Sequence, residues 1–541
     1  MPIFLFITLQ MYSMRESQIG YQEKWWDLAV LLASTVIFCL LAASRGPEAS
    51  WDLLNYHQYN PFALLNKPFG YDRIPAQSQT FLNPALDIPY YLLRSGLNDW
   101  PRTLNAVQAL PQALAAFLVY RIALETIPFH ARGRKLLALV VTAFGATGAA
   151  ALPTLGTSQS EMIPACFQLG GLLLVLRHSQ DGRISRVAVA GLLSGIALGF
   201  KLTLLPYSLA LGVGVIFTYG TLLRGRIAAI AAFGCGIGIG ALLIAGPWCL
   251  QLYRSFGNPL FPYFNAIFRS PFYYASNISD QRFQPTDLLH AAFYPFYWVR
   301  TQHLVSELQF RDPRFALAYA AIVVATAGAI LAGKSRLRSG PWLDARSWCG
   351  LIFIALGYSV WELQFSILRY LAPIELLTGV PLLLAMRPLL AAGIGSYLPH
   401  AALAAVTALS LAVTVYPDWG HAPHGPVAAA VVLPEFAPDS LVVLLDPSPM
   451  SFIASYAPPT VRFVGANNNF IQPGSNLQMQ QDIEALIRSH KGPLWGLEET
   501  ITEAQATLTF YGLHRGPGCM AVQTNLNDNA TKICPLLRNH D

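Results

Sequence analysis

The chain has 541 residues, of which 54% are hydrophobic and only 12% charged, against about 25% charged in soluble domains, and its mean hydropathy is +0.42. That composition excludes an ordinary soluble globular protein and predicts an α-helical polytopic membrane protein whose first partner is the lipid bilayer. The formal charge of +6 is accounted for by basic loops between apolar segments, so it argues for no nucleic-acid partner.

Residues 1–25 read as a cytoplasmic leader. The apolar run within residues 1–14 is too short to span, and it has neither a preceding basic region nor a small-residue cleavage site. A spanning helix takes roughly 20 apolar residues. Segments of about that kind, roughly eleven in all, follow at 26–44, 103–127, 135–152, 161–177, 186–200, 203–222, 227–247, 314–333, 347–362, 367–386 and 396–416. Basic loops at Arg132, Arg134 and Lys135, at Arg177, Arg183 and Arg186, at Arg224 and Arg226, and at Lys334, Arg336, Arg338 and Arg346 alternate with less basic ones. Basic loops stay on the cytoplasmic side. This places loops 45–102 and 248–313, and everything after 416, outside. The Gly-Cys-Gly-Ile-Gly-Ile-Gly run at 234–240 reads as close helix packing; it lies mid-span and lacks the Lys-Ser/Thr of a phosphate loop.

The membrane region 26–416 ends in a Pro/Gly/His-rich linker at 416–426. Beyond it, residues 441–445 and 461–464 have the pattern of buried strands and 478–490 the spacing of a helix. Residues 417–541 are therefore predicted to form a small C-terminal α/β extracytoplasmic domain. Cys39, Cys166, Cys235, Cys249 and Cys349 lie in or beside spans without ligand spacing. Cys519 and Cys534 share a non-membrane segment and are either bridged or two free thiols.

The densest chemistry follows the first span. Asp52, Asn55, Tyr56, His57, Tyr59, Asp72, Arg73, Gln77, Asn83 and Asp87 crowd one outer loop, longer than a connector requires. If residues 52–60 are α-helical, Asp52, Asn55, Tyr56 and Tyr59 share a face and His57 points well away. A carboxylate so placed can accept a proton from a nucleophile or ligate a hard divalent cation. Plainer readings remain: Asp52 or Asp87 as a helix cap, the tyrosines as an interfacial belt, Asp72 and Arg73 as a simple ion pair.

An Asp soon after the first span, then Asn55-Tyr56-His57, then Asn83-Pro84 through Pro89 and Tyr91, resembles the first outer loop of the GT-C superfamily of polyprenyl-phosphate-dependent glycosyltransferases. That superfamily includes oligosaccharyltransferases, protein mannosyltransferases and aminoarabinose transferases. Gly246-Pro247-Trp248, Gly257-Asn258-Pro259 and Arg369-Tyr370-Leu371-Ala372-Pro373 are similar as well. The resemblance implies an acidic catalytic or metal-associated residue in this loop, carried over to Asp52, with a Mg or Mn ion possible there. It also implies a bacterial inner-membrane enzyme taking a sugar from a polyprenyl-phosphate donor to a lipid, glycan or protein acceptor, with inversion. Leu53 follows Asp52, so the acidic dipeptide common in the superfamily is absent.

The catalytic candidates are Asp52, His57 and Asp72. Asn55, Tyr56, Tyr59, Arg73, Gln77, Asn83 and Asp87 are candidates for substrate binding. Cations near outer span ends suit a departing phosphate: Lys201, Arg254, Arg282, Arg300 and Arg369, with His303 assisting. Each could instead snorkel or pair with a neighbour. Two rival readings are a transporter, which would place essential charges near mid-membrane on broken helices, and a non-catalytic envelope-assembly protein.

Overall fold

The structure is a computed structural model that describes residues 21–128, 131, 133–159, 161–178, 183–219, 223–332, 342–391, 397–527 and 531–539. Most of the expected leader, and Arg132, Lys334, Arg336 and Arg338 of the basic loops, lie outside the described residues. The first helix begins at Tyr21, inside the range expected for the leader.

Apolar runs become helices, but not eleven full-length ones. Among the described residues four helices are long and apolar enough to cross a membrane: Lys24–Ala43, Pro101–Thr126, Leu223–Phe256 and Arg314–Leu331. Leu368–Glu375 and Gly379–Ala385, bent by 44°, add a fifth if counted as one broken span. Met162–Arg177, Ile184–Phe200, Leu202–Thr218 and Leu398–Val413 are shorter. A 17-residue helix such as Ile184–Phe200 is about 25 Å long at 1.5 Å per residue, short of the roughly 30 Å hydrocarbon core. The run expected at 135–152 stops as a helix at Ala146; Gly145, in its last turn, packs so closely that a Cβ there would stand 2.1 Å from the Leu376 carbonyl oxygen. The Ala345–Gln364 helix has 20 residues and carries Arg346 and Glu362.

The glycine run at 234–240 packs as expected, on alternate positions. A Cβ on Gly236 would lie 2.3 Å from the Ala188 carbonyl oxygen and one on Gly240 2.3 Å from that of Leu192, whereas nothing stands within 4 Å of Gly234 or Gly238. Gly191 and Gly195 answer from the facing helix, at 2.1 and 2.2 Å from the carbonyls of Phe233 and Ile237. Small residues on both sides bring the backbones of Ile184–Phe200 and Leu223–Phe256 together.

The 34-residue helix Leu223–Phe256 is about 51 Å long, well beyond the hydrocarbon thickness. Its last turns carry Trp248, Leu252 and Phe256 into a cluster with Leu441, Val443, Met479 and Ile483 of the C-terminal region. That region is built on strands β1 (Val431–Val432), β2 (Leu441–Leu444), β3 (Arg462–Gly465), β4 (Leu494–Glu498), β5 (Leu513–Arg515), β6 (Met520–Ala521), β7 (Gln523–Thr524) and β8 (Lys532–Arg538). The main sheet runs β3-β2-β4-β8-β5, with β6 also on β8 and a separate β1-β7 pair. β2 is parallel to β3 and β4, while β8 is antiparallel to β4. The two strands and the helix expected here are present, the helix as Gln478–Ser489. Cys519 and Cys534 are bridged, which decides between the two alternatives.

The loop at 45–102 forms part of this unit. Ile74 and Phe81 pack on one face of the sheet with Leu441 and Val464, and Leu54, Tyr56, Tyr59 and Phe62 on the other with Val442, Leu444 and Phe452. The loop even extends the sheet edge: the Arg73 amide donates to the Phe463 carbonyl at 3.0 Å, and the Gly465 amide to that of Arg73 at 2.8 Å.

Candidate functional site

After the first span the chain enters a π-helical turn, Leu53–His57. A π-turn pairs residues i and i+5. This re-aims His57: an α-helix would send it away from Asp52, whereas here its charge acts on the Asp52 carboxylate. The expected common face of Asp52 with Asn55 and Tyr59 is therefore not formed.

Asp52 makes an ion pair with Arg369, which stands in the helical turn Leu368–Leu371 leading into the broken span. Lys201 follows the Ile184–Phe200 helix and pairs with Glu161, Nζ to Oε1 2.6 Å, Glu161 standing just before the Met162–His178 helix. Tyr370 lies under Lys201, Nζ to ring centre 5.8 Å. His57 Nδ1 is 2.7 Å from Asp87 Oδ1, and its ring centre is 4.1 Å from that of Tyr56. Helix ends far apart in sequence thus deliver three carboxylates and three basic groups to one place. The Asp52 side chain is 13% exposed, against 6% for Glu161 and 5% for Asp87, so Asp52 is the carboxylate a ligand reaches first.

Burial works against charge on Asp52, but Arg369, then His57 and Lys201, outweigh it and hold the carboxyl below its usual range. For His57 burial again opposes the cation, and Asp87 foremost, with Asp52 and Glu48, overcomes it and raises the pKa. Burial, with Asp52 beside it, pushes the Tyr56 phenol well up, so it stays a neutral hydroxyl.

The linker does more than connect. Its residues pair antiparallel with the end of the first span at Glu48 and His421, the Ala49 amide donating to the Gly420 carbonyl at 3.0 Å. Gly420 has φ +107, and a Cβ there would come within 2.9 Å of the Ala49 carbonyl oxygen, so glycine alone suits the turn. This lays Trp419 over Arg369, 4.6 Å from guanidinium carbon to ring centre. Arg369 Nε, Trp419 Nε1, Glu161 Oε2 and Gln159 Oε1 are buried with no hydrogen-bond partner among the described residues. Arg369, Trp419 and Glu161 belong to the charged cluster, so two donors and one acceptor there equip it for a ligand bearing both anionic oxygens and hydroxyls.

Other candidates lie elsewhere. Asp72, expected to be catalytic, is 8% exposed and accepts from Lys67 Nζ at 2.9 Å, Tyr59 hydroxyl at 2.8 Å and the Phe463 amide at 2.9 Å. Its oxygens are spent joining the loop to the sheet, and none of these partners is shared with Asp52. Tyr59 is spent with it, and the Arg73 side chain donates to the Gly70 carbonyl rather than pairing with its neighbour. Asn55, fully buried, donates to Gln79 at 3.3 Å, and Gln77 donates to the Pro447 carbonyl at 2.8 Å. Asn83 caps the turn Pro84–Leu86 and donates to the carbonyls of Gly199 and Ile244 at 3.2 and 3.3 Å, tying the loop to two helices. Arg254 and Arg300 are exposed outside the cluster, Arg282 pairs with Asp280, and His303 Nδ1 lies 3.2 Å from the Glu307 carbonyl. Buried polar amides in a loop are mostly committed to hydrogen bonds within the protein.

Glu161 and Trp419 were missed. The signal for Glu161 was available: a lone acid at the end of an otherwise apolar span. Among the described residues no three His, Cys, Asp or Glu side chains gather to hold a metal ion, and Asp52 and Glu161 each already face a cation.

The architecture is thus a set of apolar helices bearing a small α/β unit, with a cluster of paired charges at helix ends. No protein-family model matches the chain, and no curated protein matches it. Among solved structures, the arabinosyltransferase EmbB from Mycobacterium smegmatis, determined by single-particle cryo-EM, is similar at 13% identity and a TM-score of 0.31, over 76% of this chain and 44% of that one. The chain spans less than half the length of that protein.

Proposed function

We infer that the protein is an integral-membrane glycosyltransferase that moves a sugar from a polyprenyl-phosphate donor to an acceptor hydroxyl or amine outside the cytoplasm, with inversion. The observation that carries this is the paired-charge cluster of Asp52 with Arg369 and Glu161 with Lys201, gathered from the ends of apolar helices. The likeness of the first outer loop to GT-C enzymes supports it. The Cys519–Cys534 bridge supports an oxidising compartment for the C-terminal unit.

In this reading the acceptor attacks the anomeric carbon as the bond from that carbon to the donor phosphate oxygen breaks. Asp52 accepts the acceptor's proton. A carboxylate held below its usual pKa is a weak base, but the acceptor proton becomes acidic as its heavy atom gains a bond to carbon, so removal late in the step suffices. Arg369 and Lys201 take up the charge developing on the phosphate, with Arg369 Nε and Trp419 Nε1 as donors. Each ion pair is thereby loosened, which frees Asp52 for its task. Arg254, Arg300 and His303 have no part in this step.

With purified protein in liposomes and a polyprenyl-phosphate sugar, Asp52→Asn is expected to stay folded, with a lowered thermal transition because the Arg369 ion pair is lost, and to lose transfer by about 10²–10⁴-fold. Full transfer by that variant would remove Asp52 from the mechanism. Accumulation of substrate with no new glycosidic bond would instead indicate a transporter.

A further inference from the structure

The outer loop 248–313 holds a surface that its own fold leaves uncovered. The Asp287 carboxylate accepts the His290 amide at 2.8 Å and caps a turn, after which the chain runs as two short helical pieces, Leu288–Ala292 and Tyr294–Tyr297. One side is anchored. Tyr294 donates its hydroxyl to the Leu304 carbonyl at 3.1 Å, and Trp298, with no exposed area, packs against Phe315 and Trp361 with ring centres 5.1 and 6.0 Å apart. The other side is apolar and open: Leu288 is 89% exposed, Leu289 71%, Phe293 51% and Val299 42%. Soluble surfaces rarely gather so many large apolar side chains, and the buried anchors hold them outward.

This face is continuous with the apolar helices. Phe296 meets Tyr319 edge-on at 5.6 Å, and Tyr319 belongs to the Arg314–Ala332 helix, whose Val323 and Val324 are each 54% exposed. Gln284 donates to the Leu363 carbonyl at 3.2 Å, at the end of the Ala345–Gln364 helix, where Leu363 is 76% exposed. The rim is polar, with Arg282 beside Asp280 and Arg300 exposed. An apolar, aromatic face edged by arginine suits the boundary between lipid headgroups and acyl chains.

The geometry points to residues 288–299 as a foot resting in the bilayer, its partner the headgroup–acyl boundary of the leaflet beside the Arg314–Ala332 helix. This rests on the reading that the long apolar helices span a membrane. The foot bears on the charged cluster through the next element. Gln302 and Phe310 pair antiparallel, and between them the Val305 carbonyl accepts the Leu368 amide at 2.7 Å, one residue from Arg369. A foot at constant depth sets the height of Arg369 relative to a phosphate carried on a lipid.

The test uses the full chain in vesicles of phosphatidylcholine and phosphatidylglycerol, with the photoreactive residue p-benzoylphenylalanine placed in separate samples at Phe293, at Val324 on the apolar helix and at Phe510, which is 39% exposed on the C-terminal unit. Lipid adducts are read by mass spectrometry. The yield at Phe293 is expected to match that at Val324 and exceed that at Phe510 about tenfold. Adducts at Val324 with none at Phe293 overturn the foot alone. Their absence at Val324 overturns the membrane reading and the foot together.

Discussion

Arg369, then His57 and Lys201, favour the charged form of Asp52, and Asp87 foremost favours that of His57. These opposite shifts give opposite pH dependences. The His57 pKa is raised, so its pairing stabilises the fold fully below about 6.5, the ordinary histidine value, and is lost as pH rises through the folded-state value. The Asp52 pKa is lowered, so its contribution is complete above about 3.9 and is lost as pH falls through the folded value. Thermal melts across pH are expected to show the alkaline loss in wild type and not in His57→Gln; an unchanged difference between the two at all pH values would refute the charged pair. Transfer activity is expected to keep its acid limb below the usual carboxylate range and to lose a limb above 6.5, the ordinary histidine value, in His57→Gln. At this scale the sequence was informative about residue type but not about partner. Asp52, His57, Asp87, Lys201 and Arg369 were all singled out, yet that His57 faces Asp52 depends on a π-turn that no residue pattern announces.

Among elements, the Gly234–Gly240 run was legible because small residues four apart have one common use in apolar helices, the close approach of two backbones. Which glycines do so depends on the rotation of the helix, and only its packing decides that. Gly240→Leu is expected to wedge apart Ile184–Phe200 and Leu223–Phe256 and to cost about 1–3 kcal/mol, with Lys201, next to the first of these, displaced from Glu161. Gly238→Ala, facing open space, is expected to leave the thermal transition unchanged or raise it slightly. Equal loss from both substitutions would contradict the packing. The number of spans was less legible, since hydropathy reads apolar length and not where a helix stops.

For the molecule as a whole, the C-terminal unit shares its core with the loop at 45–102. Residues 417–541 expressed alone would leave both sheet faces without Leu54, Tyr59, Phe62, Ile74 and Phe81. That fragment is expected to aggregate or to show no cooperative near-UV transition; a soluble monomer that unfolds cooperatively would show that the loop is dispensable. Membrane character, the strands at 441–445 and 461–464 and the polar first loop could be read from the chain alone, because composition and periodicity are local and each residue reports its own preference for water, helix or strand. The division of that loop into Asp72, which fastens the sheet, and Asp52, which meets Arg369, was decided by tertiary structure. A carboxylate's role is set by the cations and amides around it, and those come from residues up to 391 positions away.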